Sequence, residues 1–395
     1  MQRALICGYY GHYNLGDEAM LAGMLHQLGQ WRPDLSPTVF SNHPADTARR
    51  HGVATLDQAP TYRRRALWRQ RIETLWAMAQ HRYFVLGGGD LLREGPEQSV
   101  ANVWLTPLQQ AIQLRCRSLV WGVSVGEIWR PETERRIRQV LNQTELIGVR
   151  DDASAAALRS LGVTRPIYVG PDLALLRPEP EHIAPLATPL MSKTRPRIGV
   201  SWRAIANRAI PNNAAAETFD QLQQSMAVLL DWLVDTYDAE IHLIPFQSFP
   251  EAYRRRHRPA VDDYVSTQTM IQGCRHADRM ELYADVPYLG HLDGILASLD
   301  LIIWMRLHSL ILAARAGVPG LAIEYDLKVN RFMAAIGQAH NSIPLENFTL
   351  ATATSKVTQL LENADAARQS VRAGLHQYQQ AGATAMAAFE DFWQA

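Results

Sequence analysis

The chain has 395 residues, 47% apolar and 20% charged, with 39 basic and 39 acidic side chains and a formal net charge of zero. That length exceeds the roughly 250–300 residues at which a single core stops growing, so two domains are expected. The balanced charge argues against nucleic acid or another bulk polyanion as partner, and no apolar run nears the ~20 residues of a membrane span.

In chain order, the first expected strand is Arg3–Cys7, which leaves no room for a leader peptide ahead of it. GYYGHYNLGDEAML follows at residues 8–21, a glycine-punctuated turn leading into a helix expected over residues 17–30. A dinucleotide-binding fold seats a pyrophosphate at such a turn. Here Asp17 and Glu18 stand where the phosphate would sit, so the turn must bind something other than an anion. Further strands are expected at Pro37–Ser41, Tyr83–Leu86, Leu119–Val125, Leu146–Val149 and Ile167–Val169, with helical patterns between them. Near-continuous apolar strands alternating with helices predict a parallel sheet covered on both faces.

Residues 177–196 hold five prolines and little periodicity, the composition of an interdomain linker. The alternation then restarts, with strands expected at Ile198–Trp202, Glu240–Ile244, Asp300–Trp304 and Gly320–Ile323, followed by an Ala/Gln-rich helical tail. The expected fold is α/β: two doubly wound, Rossmann-like domains facing a cleft, in the manner of GT-B glycosyltransferases. They would span residues 1–176 and 197–349, with a tail at 350–395 whose terminal helix could cross back.

The segment Trp304-Met305-Arg306-Leu307-His308-Ser309 sits at the carboxyl end of an apolar strand, the rim where open α/β sheets bind ligands. Read as extended, with a helix from Leu310, it would direct Arg306 and His308 to the same side. A guanidinium can clamp a phosphate or carboxylate, and a histidine can give or take a proton near neutral pH. The plainer alternative is a histidine at a helix start and an arginine paired with a nearby acid. The next strand end brings Lys328, beside a helix expected from about Val329, and the first strand of this half ends at Arg203. Three cations, a histidine and a helix N-terminus suit a small anionic donor.

The first half presents Gly87-Gly88-Gly89-Asp90, a turn ending in Glu127, and Gly170-Pro171-Asp172 at its own rim. Together with Asn14, Gly16 and Asp17, these residues form an acidic, hydroxyl-seeking surface suited to a sugar acceptor. Its glycines would let the ligand approach backbone closely. Capping of the first helix is an additional role for Asp17.

These segments resemble the polysaccharide pyruvyl transferase family, most closely its CsaB-type members. The resemblance rests on GYYGHYNLGDEAML, FVLGGGDLL, WGVSVGE, GVRDDASAAALRSLGV, VGPDLALL, IGVSWR, LIPFQ, MRLHSLILAARAGVP and YDLKVNRF. It implies a GT-B-like fold, phosphoenolpyruvate as donor and an acceptor hexose that becomes a 4,6-linked pyruvate ketal. It places Arg306, His308 and Lys328 on donor motif positions, with Arg203 matching less closely. The chain departs from the family pattern at Leu327, at His12-Tyr13, at Glu127 and over residues 248–264.

His308 is the candidate acid that protonates the donor methylene, while Arg306, Lys328 and Arg203 hold its anions. The scheme requires no metal and no cofactor beyond phosphoenolpyruvate as co-substrate. The competing readings are a GT-B nucleotide-sugar glycosyltransferase, using Glu324 or Asp326 for a ribose, and a non-catalytic glycan-binding protein. Cys7, Cys116 and Cys274 lack C-x-x-C spacing and are expected as reduced thiols of a cytoplasmic protein. Two basic runs, at residues 62–71 and 254–258, are solvated helix faces or contacts with an anionic membrane surface bearing a lipid-linked acceptor.

Overall fold

The computed structural model describes residues 2–58, 68–95, 98–178, 195–203, 214–257, 262–283 and 289–395. Most of the expected linker, residues 62–67 of the first basic run and Arg258 of the second lie outside this set. The chain divides into two compact units, Met1–Pro178 with Gln379–Ala395, and Glu179–Tyr378.

In the first unit the order is β1 (Gln2–Cys7), α1 (Leu15–Trp31), β2 (Leu35–Ser41), α2 (Pro44–His51), β3 (Ala54–Asp57), α3 (Trp68–Ala79) and β4 (Tyr83–Leu92). It continues with α4 (Val100–Gln113), β5 (Arg117–Val125), α5 (Pro131–Leu141), β6 (Leu146–Val149), α6 (Asp152–Ser160) and β7 (Ile167–Val169). The seven strands lie in the order β3-β2-β1-β4-β5-β6-β7, with every pairing parallel. The apolar runs Leu5, Cys7, Phe84, Leu86 and Val120 are fully buried because helices cover both sheet faces. β4 does not stop at Leu86. It carries Gly87–Asp90 within the strand and shifts register between Gly89 and Leu92. Gly88 (φ 75°) and Gly89 (φ 101°) supply the left-handed backbone that this irregularity needs.

In the second unit, β8 (Arg197–Ser201) leads through α7 (Ala214–Tyr237) to β9 (Glu240–Leu243), α8 (Glu251–His257), α9 (Asp263–Ile271) and β10 (Met280–Leu282). There follow α10 (Leu289–Ala297), β11 (Leu301–Trp304), α11 (Leu307–Arg315), β12 (Gly320–Glu324), α12 (Leu327–Ala335), β13 (Ser342–Pro344), α13 (Leu350–Glu362) and α14 (Ala364–Ala381). The sheet order is β10-β9-β8-β11-β12-β13, again all parallel.

The last helix, α15 (Ala383–Gln394), belongs to the first unit. Phe389 stacks on Trp121 with ring centroids 4.8 Å apart, and Trp393 is fully buried against Tyr83. A Cβ at Gly148 would lie 2.5 Å from the Phe389 ring, so β6 carries glycine where the tail docks.

Candidate functional site

In the second unit the strand order reverses between β8 and β11, and ligands of open α/β sheets bind outside the carboxyl ends at such a point. Trp304 is in register with Ser201, and the Met305 amide donates to the Ser201 carbonyl at 3.0 Å. Arg203 and Arg306 thus leave adjacent strand ends, while Lys328 follows the neighbouring β12.

The expected extended segment through Arg306 and His308 is corrected. Arg306 is the N-cap of α11, with φ −79° and ψ 128°, and His308 already lies in the first helical turn. The helix starts early because Leu307, Leu310, Ile311 and Ala314 are buried at helical spacing, and the Leu310 amide donates to the Arg306 carbonyl at 3.2 Å. His308 stays partly exposed.

Arg306 is buried and held in a fixed plane. Its Nε and Nη2 donate to Oδ2 and Oδ1 of Asp263 at 2.8 and 2.6 Å, and Nη2 also donates to Gln247 Oε1 at 3.0 Å. Asp263 is 0% exposed and opens α9, and its Oδ2 also accepts the Gln247 amide at 2.9 Å. Arg306 therefore stands at the strand-end rim and, as the plainer alternative expected, pairs with an acid. Local sequence gave no signal for Asp263, which lies 43 residues away in the segment that departs from the family pattern.

On the β12 side, Asp326 caps α12 by accepting the Lys328 amide at 3.1 Å, and its Oδ2 lies 3.2 Å from Lys328 Nζ. Burial works to raise the Asp326 pKa, but Lys328 and Arg203 outweigh it and hold the carboxyl below its ordinary value. Arg203 donates to Tyr325 Oη at 2.6 Å and lies over the same ring. Arg203, Arg306, His308 and Lys328 therefore gather at one rim, beside the N-termini of α11 and α12, both favourable to negative charge.

In the first unit the corresponding reversal lies between β1 and β4. Asn14, not Asp17, caps α1, accepting the Gly16 amide at 3.0 Å. Glu18 is engaged internally: Oε1 accepts the Gly11 amide at 3.0 Å and Oε2 meets His51 Nε2 at 2.6 Å. The acid at the phosphate position is itself the anion that the loop binds. Gly11 is also not kept clear for a ligand, since at φ 72° its Cβ would lie 2.2 Å from Ser41 Oγ.

Asp17 is buried, with Oδ1 only 3.3 Å from where a Cβ at Gly89 would project, and Gly88 lies against Tyr10 Oη. Asn14, Gly16, Asp17, Gly88 and Gly89 thus meet at the switch point. Asp90 sits beside them, partly buried and 3.5 Å from Arg93 Nε, and the Glu127 side chain is exposed. Asp172 departs from the expected set. It is 1% exposed, its Oδ2 pairs with buried Arg150 at 3.1 Å, and its Oδ1 accepts the Ala174 amide at 3.0 Å. Burial draws this carboxylate into an ion pair and away from a ligand.

An aromatic surface that the sequence marked only as a departure also lines this loop. Tyr9 and His12 stack at 3.8 Å and 4°, with Trp104 edge-on to Tyr9, and Tyr13 leans on His43. Burial, reinforced by His43 and opposed by Glu18, pushes the His12 pKa down to about 4, so the ring is neutral at pH 7.

Two parallel, doubly wound sheets, each with polar side chains at its switch-point rim, define a protein of the GT-B-like α/β class. The polysaccharide pyruvyl transferase family model matches residues 14–326, and the chain belongs to that family. No curated protein sequence matches it. Among solved structures it is similar to a putative UDP-N-acetylglucosamine 2-epimerase from Listeria monocytogenes (TM-score 0.62, 12% identity, covering 100% of this chain and 97% of that one). It is likewise similar to UDP-GlcNAc 2-epimerase from Neisseria meningitidis bound to UDP-GlcNAc (0.62, 11%, 99% and 100%). Anabaena HepE in complex with UDP and glucose is a third such structure (0.56, 12%, 99% of each chain). At these identities the likeness concerns the fold.

Proposed function

We propose that this transferase moves the pyruvyl group of phosphoenolpyruvate onto a hexose of a cell-wall or extracellular polysaccharide, or of its lipid-linked precursor, forming a 4,6-ketal. The observation that carries this reading is the convergence of Arg203, Arg306, His308 and Lys328 on one switch-point rim. Phosphoenolpyruvate bears a phosphate and a carboxylate, which three cations and two helix N-termini can neutralise. His308, partly exposed in the first turn of α11, delivers a proton to the methylene carbon and makes C2 electrophilic. One sugar hydroxyl adds at C2, phosphate leaves, and the neighbouring hydroxyl closes the ring. Of the two hydroxyl protons, one replaces that taken up by the methyl group and one leaves with phosphate.

The acceptor is assigned to the first unit's rim, through Asn14, Gly16, Asp17, Gly88, Gly89, Asp90 and Glu127, with Tyr9 and His12 offering ring faces to the sugar. A nucleotide-sugar reading would need Glu324 or Asp326 for a ribose. Glu324 Oε1 already accepts from Asn330 Nδ2 and Ser342 Oγ, and Asp326 faces Lys328. Thermal unfolding with each donor tests the choice, because a ligand at a hundred times its Kd stabilises by about 2.7 kcal/mol. A rise with phosphoenolpyruvate and none with UDP-sugars is expected, and the reverse would overturn the assignment.

A further inference from the structure

Among the described residues, four of the ten exposed large hydrophobic side chains lie on α3. Trp68, Ile72, Leu75 and Trp76 are 75%, 55%, 37% and 68% exposed. At 3.6 residues per turn they fall within an arc of about 100°, an amphipathic stripe that here faces away from the core. Met78, about 60° beyond Leu75 round the helix, is fully buried and anchors that flank. Arg71 is exposed at one edge of the stripe. Residues 59–79 include five arginines and one acid, Glu73.

From this pattern we infer that α3 docks the protein on an anionic lipid surface, lying in its plane with both tryptophans among the headgroups. Tryptophan favours such an interface, and arginine beside it reaches lipid phosphates while its stem stays apolar. A second copy of the chain fits the patch less well. A covered aromatic buries about 150–250 Å², so two tryptophans with Ile72 and Leu75 offer roughly 500 Å², against about 800 Å² per partner in a stable interface. Two stripes, each edged by Arg71, would also repel.

The crossover helix α3 runs antiparallel to the strands it connects, so Trp68 lies toward the carboxyl rim that carries Asn14, Asp17 and Asp90. Docking would lay the strands of this unit along the lipid surface with that rim opening sideways beside it, which suits a lipid-linked acceptor. No described helix is long and apolar enough to cross a membrane. The attachment is therefore interfacial.

Flotation of the full chain with vesicles tests the inference without donor or turnover, so it stands or falls separately from pyruvyl transfer. Binding is expected to vesicles containing phosphatidylglycerol and not to phosphatidylcholine alone, and should be lost near 1 M salt, where screening shortens to about 3 Å. Trp68→Ser with Trp76→Ser should weaken binding more than tenfold with an unchanged melting temperature, because both side chains are exposed. Arg71→Gln, a second variant with no packing role, should weaken it about fivefold, as for one basic side chain near an anionic surface. Any of three results would overturn the inference: no binding by the parent chain, equal binding by the double variant, or a wild-type dimer that the double variant abolishes.

Discussion

Arg306 and Lys328 bring the same charge to the same rim, yet their alanine variants should behave differently. Arg306→Ala would strand the carboxylate of Asp263, which is fully buried. Breaking a buried pair in this way costs about 3–5 kcal/mol, so the variant should melt markedly lower as well as lose phosphoenolpyruvate. Lys328→Ala leaves Asp326 within reach of water, so stability should hold while donor affinity falls by about 1.5–3 kcal/mol. Thermal unfolding and calorimetry with phosphoenolpyruvate separate the two, and equal melting points would refute the difference in burial. His308→Ala should keep donor affinity and lower kcat by about 10²–10⁴-fold in a product assay, the usual contribution of a general acid. His12 supplies a pH signature. Its folded pKa of about 4 lies below the 6.5 of the unfolded chain, so between these values the unfolded state binds more protons and stability rises with pH. Urea unfolding should show up to about 3 kcal/mol lost from pH 7 to pH 4 through this group, and His12→Phe should flatten that slope.

At the scale of elements, the start of α1 separates capping from ligand contact. Asn14→Ala removes the N-cap and should cost about 1 kcal/mol. Asp17→Asn leaves the cap intact, so it should raise the acceptor KM or lower kcat with melting temperature and donor affinity nearly unchanged. A variant that lost phosphoenolpyruvate instead would show that donor and acceptor had been assigned to the wrong units. The buried strands were legible in the sequence because a parallel strand covered on both faces reads as a continuous apolar run, as in ALIC or LIIW. β3, β10 and β13 were not, since the short edge strands ATLD, MEL and SIP mix apolar with polar or proline residues, whereas the equally short edge strand β7, IYV, is apolar throughout and was read. The site divides in the same way. The placement of Arg203, Arg306, His308 and Lys328 at neighbouring strand ends could be read because each follows a strand within a short motif. Asp263, Glu18 and the buried role of Asp172 could not, because tertiary packing selects their partners across the chain.

At the scale of the whole molecule, the first unit is assembled from both ends of the sequence. Deleting residues 379–395 would uncover Trp121 and Tyr83 and remove the buried Phe389 and Trp393. Losing a buried large aromatic costs about 3–5 kcal/mol, so two approach the 5–15 kcal/mol that stabilises a whole domain. Limited proteolysis of the truncated chain should therefore cut within residues 2–178 while sparing the second unit, and resistance throughout would show the tail to be dispensable. The same tail sets a timetable during synthesis. Domains usually fold in the order in which they leave the ribosome, but here the first sheet to emerge must wait for α15, whereas the second unit has all its residues once Tyr378 is made. The half of the protein translated first is thus the half completed last, and its half-built sheet is the stretch that a chaperone would have longest to guard.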